Sequence, residues 1–195
     1  MSESWDDYAE EWNDNEDAIL YSRKAFKTLV DQINLEGLNV LDFGCGTGLL
    51  TEQISPLANK ILALDLSKKM VSILNNKNLH NVTTFSEPLS EDFINKNTSL
   101  QNKFNLIVAS SVFGFIPEYE SILILLKLLL APDGILVQWD WLSPSKESDF
   151  GLSEKKVKSA YKETGFELIS VNKPFSLTGS KGSTMTVLMA VAKNA

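Results

Sequence analysis

Cysteine and histidine are nearly absent from this 195-residue chain, which has one of each, Cys45 and His80. One cysteine cannot form an intrachain disulfide, and the pair cannot supply the four ligands of a structural zinc site. Long apolar runs are missing as well. The most apolar stretch, residues 122–131, is interrupted by Lys127 and is much shorter than the roughly 20 residues of a membrane-spanning helix. We therefore predict no disulfide, no metal site and no membrane span.

Basic residues are missing from the start of the chain, where acidic residues are concentrated. Eight acids and no base lie within residues 1–17, and these acids are Glu3, Asp6, Asp7, Glu10, Glu11, Asp14, Glu16 and Asp17. The net charge is −7, so the rest of the chain, with 18 basic and 17 acidic residues, is nearly neutral. Its densest basic group is most simply the solvated face of one helix, and consists of Lys155, Lys156, Lys158 and Lys162. Because nucleic-acid binding usually needs a basic face, no such partner is expected.

The segment that follows Met1 has neither the basic nor the apolar region of a secretory signal, so we expect a cytoplasmic protein without a membrane partner. The composition, 44% hydrophobic and 22% charged, is that of a globular protein. No linker or repeat divides the chain. We predict an acidic N-terminal arm or lid over residues 1–17, followed by one domain over residues 18–195.

Short apolar runs alternate with helical patterns along the chain. Five runs are typical of strands in a parallel sheet, at residues 39–43, 60–65, 82–85, 104–109 and 135–139. Helices are predicted between and after them, at residues 49–57, 68–76, 118–130 and 153–165. Two later runs, 166–171 and 184–191, have only a loop between them and should pair antiparallel. We predict an α/β fold, a doubly wound, mostly parallel seven-stranded sheet with helices on both faces and an antiparallel C-terminal strand pair.

The most specific feature is a run in which a predicted strand enters three alternating glycines before a helix, Leu41-Asp42-Phe43-Gly44-Cys45-Gly46-Thr47-Gly48. Glycine permits positive φ and lets a ligand approach the backbone. Open α/β sheets bind ligands at the carboxyl ends of their strands. In the dinucleotide fingerprint Gly-x-Gly-x-x-Gly the third glycine would stand at Leu49 rather than at Gly48, and an acid at position 42 would repel a pyrophosphate. This spacing disfavours an NAD-dependent oxidoreductase.

The pattern Asp-x-Gly-x-Gly-x-Gly resembles the first motif of the S-adenosylmethionine-dependent methyltransferases with the Rossmann-like fold, in their small single-domain form. The resemblance implies that S-adenosyl-L-methionine binds at Gly44, Gly46 and Gly48. The cofactor carries an ammonium group, which Asp42 can hold directly or through water. The alternative role of Asp42 is to brace the turn by accepting backbone N–H bonds, and both roles can hold together.

Asp65 follows the second predicted strand, 23 residues after Asp42, where nucleoside-binding sheets place the acid that binds ribose hydroxyls. Its alternative is to cap the next helix, but Ser67 can fill that role. The resemblance implies that Leu66 lies against the adenine. It also implies an acid near the adenine amino group, for which Glu87 is the candidate and Ser86 the second choice, although Glu87 is nearly as well explained as a solvated loop residue.

The fourth predicted strand is followed by a segment that resembles the one lying beneath the methionine end of the cofactor in this family. The resemblance makes Ser110 a candidate contact. Many relatives have a histidine pair where this chain has Gly114-Phe115, so histidine-based chemistry is not expected. His80 and Cys45 are given no chemical role.

The N-terminal arm has a helical stripe of aromatic residues at Trp5, Tyr8 and Trp12. It resembles the lid that covers the cofactor in many small methyltransferases, which makes Tyr8 and Trp12 candidate cofactor contacts. The alternative is a helix packed permanently on the domain.

For catalysis, methyl transfer is an in-line displacement in which alignment can supply most of the acceleration. Asp140, between Trp139 and Trp141 after the fifth strand, is the candidate base or substrate anchor, and a capping acid in a loop is an equal alternative.

Aromatic side chains are predicted to line the acceptor cleft, namely Trp5, Tyr8, Trp12, Phe113, Phe115, Trp139 and Trp141. An aromatic cleft and a nearly neutral domain favour a small-molecule acceptor. The alternatives are a catalytically silent cofactor-binding module that serves a partner protein and, less favoured, the NAD-dependent oxidoreductase.

Overall fold

The computed structural model describes residues 5–143, 150–179 and 182–194. Two compact units divide the chain, an N-terminal unit of residues 1–88 and a C-terminal unit of residues 89–195. The strands are β1 Asn39–Phe43, β2 Lys60–Leu64, β3 Val82–Phe85, β4 Phe104–Ser110, β5 Leu130–Trp141, β6 Glu167–Thr178 and β7 Thr184–Lys193. They form one seven-stranded sheet in the order β3-β2-β1-β4-β5-β7-β6, which confirms the predicted α/β class. The order is doubly wound, because successive strands move outward first in one direction and then in the other.

The N-terminal unit contains three parallel strands, with β2 paired to β1 and to β3. Its helices are α1 Trp5–Trp12, α2 Glu16–Val30, α3 Leu49–Ile54 and α4 Lys68–Asn76. All residues of β1 and β2 after the first are buried, as the apolar runs predict for a parallel sheet.

Side-chain caps begin two helices of the N-terminal unit. The Ala18 N–H donates to Asn15 Oδ1 at 3.0 Å at the start of α2. The Met70 N–H donates to Ser67 Oγ at 3.1 Å at the start of α4. Ser67 therefore has the predicted capping role, which leaves Asp65 available for other partners.

The C-terminal unit contains β4 to β7. Strand β5 pairs parallel with β4 and antiparallel with β7, and β6 pairs antiparallel with β7. The predicted antiparallel C-terminal pair is thus confirmed. The helices of this unit are α5 Glu91–Lys96, α6 Tyr119–Leu129 and α7 Glu154–Glu163. The four lysines of the basic group all lie on α7 and are exposed, as predicted.

Strand β5 begins earlier than the sequence predicts, at Leu130 instead of residue 135. Phe104 pairs with Leu130, and the register then shifts so that Leu106 pairs with Ile135. The Pro-Asp-Gly sequence at 132–134, which follows the predicted helix, is therefore an irregularity within the strand. Helices α2 and α5 were not predicted from the sequence. None of the helices within the described residues is both long enough and apolar enough to span a bilayer.

Candidate functional site

The glycine turn, residues 44–48, joins β1 to α3 and is tied to the end of β2. The backbone N–H groups of Gly44 and Cys45 both donate to the Leu64 carbonyl oxygen, at 2.8 and 3.2 Å. Gly46 and Gly48 have φ values of 53° and 81°, the left-handed region that glycine enters without steric cost. The motif therefore forms the predicted turn between a strand and a helix.

Gly46 and Gly48 meet different surroundings. A Cβ on Gly48 would lie 2.3 Å from Leu74 Cδ1, so this glycine allows α4 to pack closely. A Cβ on Gly46 would lie no nearer than 3.8 Å to any side chain that faces it, and Trp12 Nε1 is one of its two neighbours. Gly46 thus lies beside the indole of the arm and is only partly buried.

Asp65, the predicted ribose-binding acid, is hydrogen-bonded to the glycine turn. Its Oδ2 accepts a hydrogen bond from the Gly46 N–H at 2.8 Å, and its Oδ1 accepts one from the Ser67 N–H at 2.9 Å. Each carboxylate oxygen has two lone pairs, so both can still accept a hydroxyl. The side chain is only partly buried, which leaves this acceptor capacity accessible.

Asp42 lies on β1 and is 1% exposed. Its Oδ2 accepts a hydrogen bond from Thr51 Oγ1 of α3 at 2.6 Å. Burial raises the pKa of Asp42 to about 7, the negative charge of Asp65 adds to the rise, and the Thr51 hydrogen bond opposes it. A nearby cation, such as an ammonium group, would stabilise the charged form of this carboxyl.

The carboxyl ends of β2 and β3 meet beside Asp65, whose N–H donates to the Phe85 carbonyl oxygen at 3.1 Å. Leu66 is 65% exposed, which is high for a large apolar side chain. Ser86 and Glu87 directly follow β3 and are partly buried. The predicted adenine contacts therefore lie at the same sheet edge as Asp65.

Hydrogen bonds at two points join the described part of the acidic arm to later residues of the N-terminal unit. Asp6 Oδ1 accepts from Ser67 Oγ at 2.5 Å and from the Lys69 N–H at 3.3 Å, at the beginning of α4. These hydrogen bonds, that of Ser67 first, lower the pKa of Asp6. At the other end of α1, Thr47 Oγ1 of the glycine turn donates to Asn13 Oδ1 at 2.6 Å.

The aromatic residues of the arm form a cluster between these two points. The Trp5 ring lies 6.1 Å from the Tyr8 ring and 5.9 Å, edge-on, from the Trp12 ring. Tyr8 is exposed, whereas Trp12 is partly buried at the glycine turn. Of the two predicted cofactor contacts of the arm, Trp12 therefore lies beside the motif, whereas the role of Tyr8 stays a prediction.

In the C-terminal unit, the segment after β4 is organised by β5. Ser110 ends β4 and is partly buried. Ser111 has a positive φ of 60° and donates its N–H to the Trp139 carbonyl oxygen at 2.6 Å. A short 3₁₀ helix, Phe113–Phe115, follows.

Asp140 lies beneath this segment and is 1% exposed. Its Oδ1 accepts from the Gly114 N–H at 3.0 Å, and its Oδ2 accepts from Gln138 Nε2 at 3.0 Å. Burial raises its pKa to about 7, against the hydrogen bonds of Gly114, Gln138, Val112 and Phe113. This geometry is that of the capping alternative, and a role as base or substrate anchor stays a prediction.

Two of the aromatic residues predicted to line the acceptor cleft are in the core instead. Trp139 is fully buried and Phe113 is 1% exposed. Strand β5 lies between β4 and β7, so its inward positions face a packed interior. Phe115 is exposed and Trp141 is partly buried, so these two keep surface for a ligand. We also expect residues 139–152 and 175–183 to contribute to the acceptor pocket, and of these residues 144–149 and 180–181 lie outside the described residues.

Comparison with known proteins decides the family. The model of a family described as a methyltransferase domain matches residues 15–171, most of the chain. The chain belongs to this methyltransferase domain family. Membership confirms the predicted methyltransferase family, and it does not favour the oxidoreductase or silent-module alternatives.

Individual relatives agree with the family. The methyltransferase domain is 34% identical, over 93 residues, to a mitochondrial ubiquinone biosynthesis O-methyltransferase of Dictyostelium discoideum. This match covers 45% of this chain and 27% of that protein. It is 31% identical, over 103 residues, to a malonyl-(acyl-carrier protein) O-methyltransferase of Bacillus cereus, covering 51% of this chain and 36% of that protein. The matches thus span less than half the length of these curated relatives.

A solved structure shows the same fold. A methyltransferase from Aquifex aeolicus, described as dependent on S-adenosylmethionine, superposes with a TM-score of 0.70 at 21% identity. The match covers 87% of this chain and 88% of that one, so the fold is shared over nearly the whole length of both. The predicted Rossmann-like fold is confirmed.

Proposed function

We propose that this chain transfers a methyl group from S-adenosylmethionine to a small-molecule acceptor. The observation that supports this most directly is the partly buried Asp65 carboxylate, fixed at the glycine turn by the Gly46 N–H at 2.8 Å. When bound, the cofactor supplies a methyl group on a positively charged sulfur. The residues of this chain bind that group, align it and shield it from water.

The residues at the turn suit the chemical groups of the cofactor. Asp65 has free acceptor capacity for two ribose hydroxyls. Gly46 presents backbone without a side chain, and a Cβ there would have no neighbour within 3.8 Å. Gly44 and Gly48 shape the same turn. The buried, acidic Asp42 favours a cation rather than a pyrophosphate.

The remaining contacts follow from the positions described above. Leu66 is assigned to the face of the adenine, and Ser86 and Glu87 to its polar edge. Tyr8 and Trp12 of the arm are assigned to cover the turn. Ser110 is assigned to the methionine end. For Asp140 we retain the proposal of a substrate anchor that acts near the acceptor.

Binding of the cofactor is tested by calorimetric titration with S-adenosylmethionine and with its demethylated product. Asp65→Ala removes the acceptor of two hydroxyl hydrogen bonds to a charged group, each contributing about 1.5 kcal/mol, so we expect affinity to fall by roughly a hundredfold. Asp31→Ala, which removes an exposed acid at the end of α2, is the control and should bind as the wild type does. If NAD produces heat of binding where neither methyl-donor ligand does, the proposal is wrong.

The small-molecule acceptor is supported by the named relatives and by the charge of the chain. The two relatives named above are O-methyltransferases, one named for ubiquinone biosynthesis and one for malonyl-(acyl-carrier protein). Outside residues 1–17 the chain is nearly neutral, which disfavours a nucleic-acid acceptor. We also keep the cytoplasm as the proposed location.

A radiolabelled methyl group tests this acceptor class. A cell extract incubated with the protein and labelled S-adenosylmethionine is separated into small molecules and macromolecules. We expect the label mainly in the small-molecule fraction, and Asp65→Ala should abolish it there. Transfer mainly into protein or nucleic acid would contradict the proposed acceptor.

We further propose that residues 1–17 act as a lid over the domain of residues 18–195. The contacts of Asp6 with Ser67 and of Asn13 with Thr47 support this, since both attach the arm to elements that border the glycine turn. The arm then adds Tyr8 and Trp12 to the cofactor site.

A further inference from the structure

A fully buried polar cluster lies in the C-terminal unit, formed by Gln138 and Asp140 of β5, Tyr119 of α6 and Tyr161 of α7. All four side chains are at most 1% exposed. Gln138 and Asp140 are two residues apart on a strand and therefore point to the same face. Buried polar groups are costly unless they are paired, so a cluster of this kind is constrained to one arrangement of donors and acceptors.

The two tyrosines determine the orientation of the glutamine. Tyr119 and Tyr161 hydroxyls both donate to Gln138 Oε1, at 2.5 and 2.8 Å. Because the Gln138 oxygen accepts from these two hydroxyls, the NH₂ group of the same amide points away from the tyrosines. Gln138 Nε2 accordingly donates to Asp140 Oδ2 at 3.0 Å.

Asp140 connects this hydrogen-bond network to the segment after β4. The backbone N–H groups of Val112, Phe113 and Gly114 stabilise its charged form, with the Gly114 nitrogen 3.0 Å from Oδ1. Together with Gln138, the carboxyl thus faces donors on both oxygens, an arrangement that suits a carboxylate and not a neutral acid. A protonated Asp140 would have one oxygen bearing a proton that has to face an N–H donor.

We propose that Gln138 is a positioning residue, which, held by Tyr119 and Tyr161, favours the carboxylate form of Asp140 and so fixes the turn of residues 112–114. This inference rests on the proposed function, because Ser110 and Phe115 flank the turn and are assigned to the methionine end and to the acceptor. The turn takes its ligand-binding shape only while Asp140 is ionised.

The groups around Asp140 leave Gln138 as its main side-chain donor among the described residues. The titratable side chains facing the carboxyl are the two tyrosines, whose own pKa values burial raises. The Lys156 ammonium lies 6.0 Å from the centre of the Tyr119 ring on the α7 side. Burial places the pKa of Asp140 at about 7, so the loss of one donor shifts its ionisation within the neutral range.

The Gly114 amide is the reporter for the test, since it donates directly to Asp140. Its proton resonance is followed by NMR from pH 5 to 9 in the full chain. In the wild type we expect a titration with a midpoint near the pKa of Asp140, about 7. Asp140→Asn should abolish that titration. Gln138→Leu should raise the midpoint by about one pH unit, since it removes a hydrogen bond to the charged form.

Tyr161→Phe is the milder variant, because it leaves Tyr119 as a donor to Gln138. It is used in case Gln138→Leu does not fold. It should raise the midpoint in the same direction by less. Tyr21→Phe, which removes the hydroxyl of a buried tyrosine on α2, is the matched control and should leave the midpoint unchanged. An unshifted midpoint in both network variants, or a titration that persists in Asp140→Asn, overturns the proposal.

Addition of S-adenosylmethionine to the same wild-type sample separates this inference from the proposed function. We expect shifts at Gly46 and at residues 112–114. If only Gly46 shifts, residues 112–114 do not take part in the ligand site, and that part of the proposal is wrong. No shifts anywhere would overturn the proposed function, while the Gly114 titration would still decide the hydrogen-bond network.

Discussion

At the scale of single residues, Asp42 makes stability depend on pH in an unusual direction. Its folded pKa of about 7 lies above the usual value of 3.8, so between these pH values the folded chain retains a proton that the unfolded chain has lost. Its contribution to stability therefore decreases as pH rises from about 4 to 7 and is constant above that.

Asp42→Asn should remove this contribution while keeping an acceptor for Thr51. In chemical denaturation without ligand, we expect the variant to gain stability relative to the wild type as pH rises from 4 to 7. The gain should reach a few kcal/mol, at about 1.4 kcal/mol for each pKa unit. Asp31→Asn is the control at an exposed site. A difference between variant and wild type that does not change with pH would mean that Asp42 is already ionised at pH 4.

The two glycines at the turn should separate stability from binding. Gly48→Ala should reduce the free energy of unfolding by about 1 to 3 kcal/mol beyond the cost of its positive φ, because the new methyl group overlaps Leu74. Gly46→Ala pays only the backbone cost, about 1 to 2 kcal/mol, but fills the space between the turn and Trp12.

Urea unfolding and calorimetric titration of both variants test this distinction. We expect Gly46→Ala to lose at least tenfold in affinity for S-adenosylmethionine, and Gly48→Ala to bind nearly as the wild type does below its unfolding transition. Equal losses of affinity would mean that Gly48 also borders the ligand.

At the scale of elements, helix α1 is either a mobile lid or a fixed part of the fold, and hydrogen exchange distinguishes the two. Deuterium exchange of the amides of residues 5–17 should become slower when S-adenosylmethionine is added, if the arm is a lid. Asp6→Ala removes the acceptor of Ser67 and Lys69 and should make this exchange severalfold faster, whereas Glu10→Ala, an exposed acid on the same helix, should not. Equal protection with and without the cofactor would make the arm a fixed part of the fold.

The elements themselves were predicted well where a periodic pattern covers them. Strands β1 and β3 have the predicted bounds, and α4 begins after its predicted cap at Ser67. Strand β5 was predicted too short, since its first residues pair across a bulge that no local pattern indicates. Helix α5 is a six-residue segment with little periodicity of its own.

At the scale of the whole molecule, the sequence predicts what is encoded locally and misses what the fold brings together. The glycine motif and Asp65 are local signals. The partners of the arm are not, because Asp6 and Ser67 are 61 residues apart, and Thr47 and Asn13 are 34 apart. Gln138 likewise escapes a reading of the sequence, since an isolated glutamine in a strand has no pattern, and its role comes from tyrosines on two helices.

The attachment of the glycine turn to the end of β2 also has a consequence for the order of folding. The Gly44, Cys45 and Gly46 amides find their acceptors at Leu64 and Asp65, some 20 residues further along the chain. A parallel pair of strands closes only through its crossover, which is slow compared with local helix formation. The proposed cofactor site is therefore absent from any nascent chain that ends before β2, and it forms together with the first parallel strand pair.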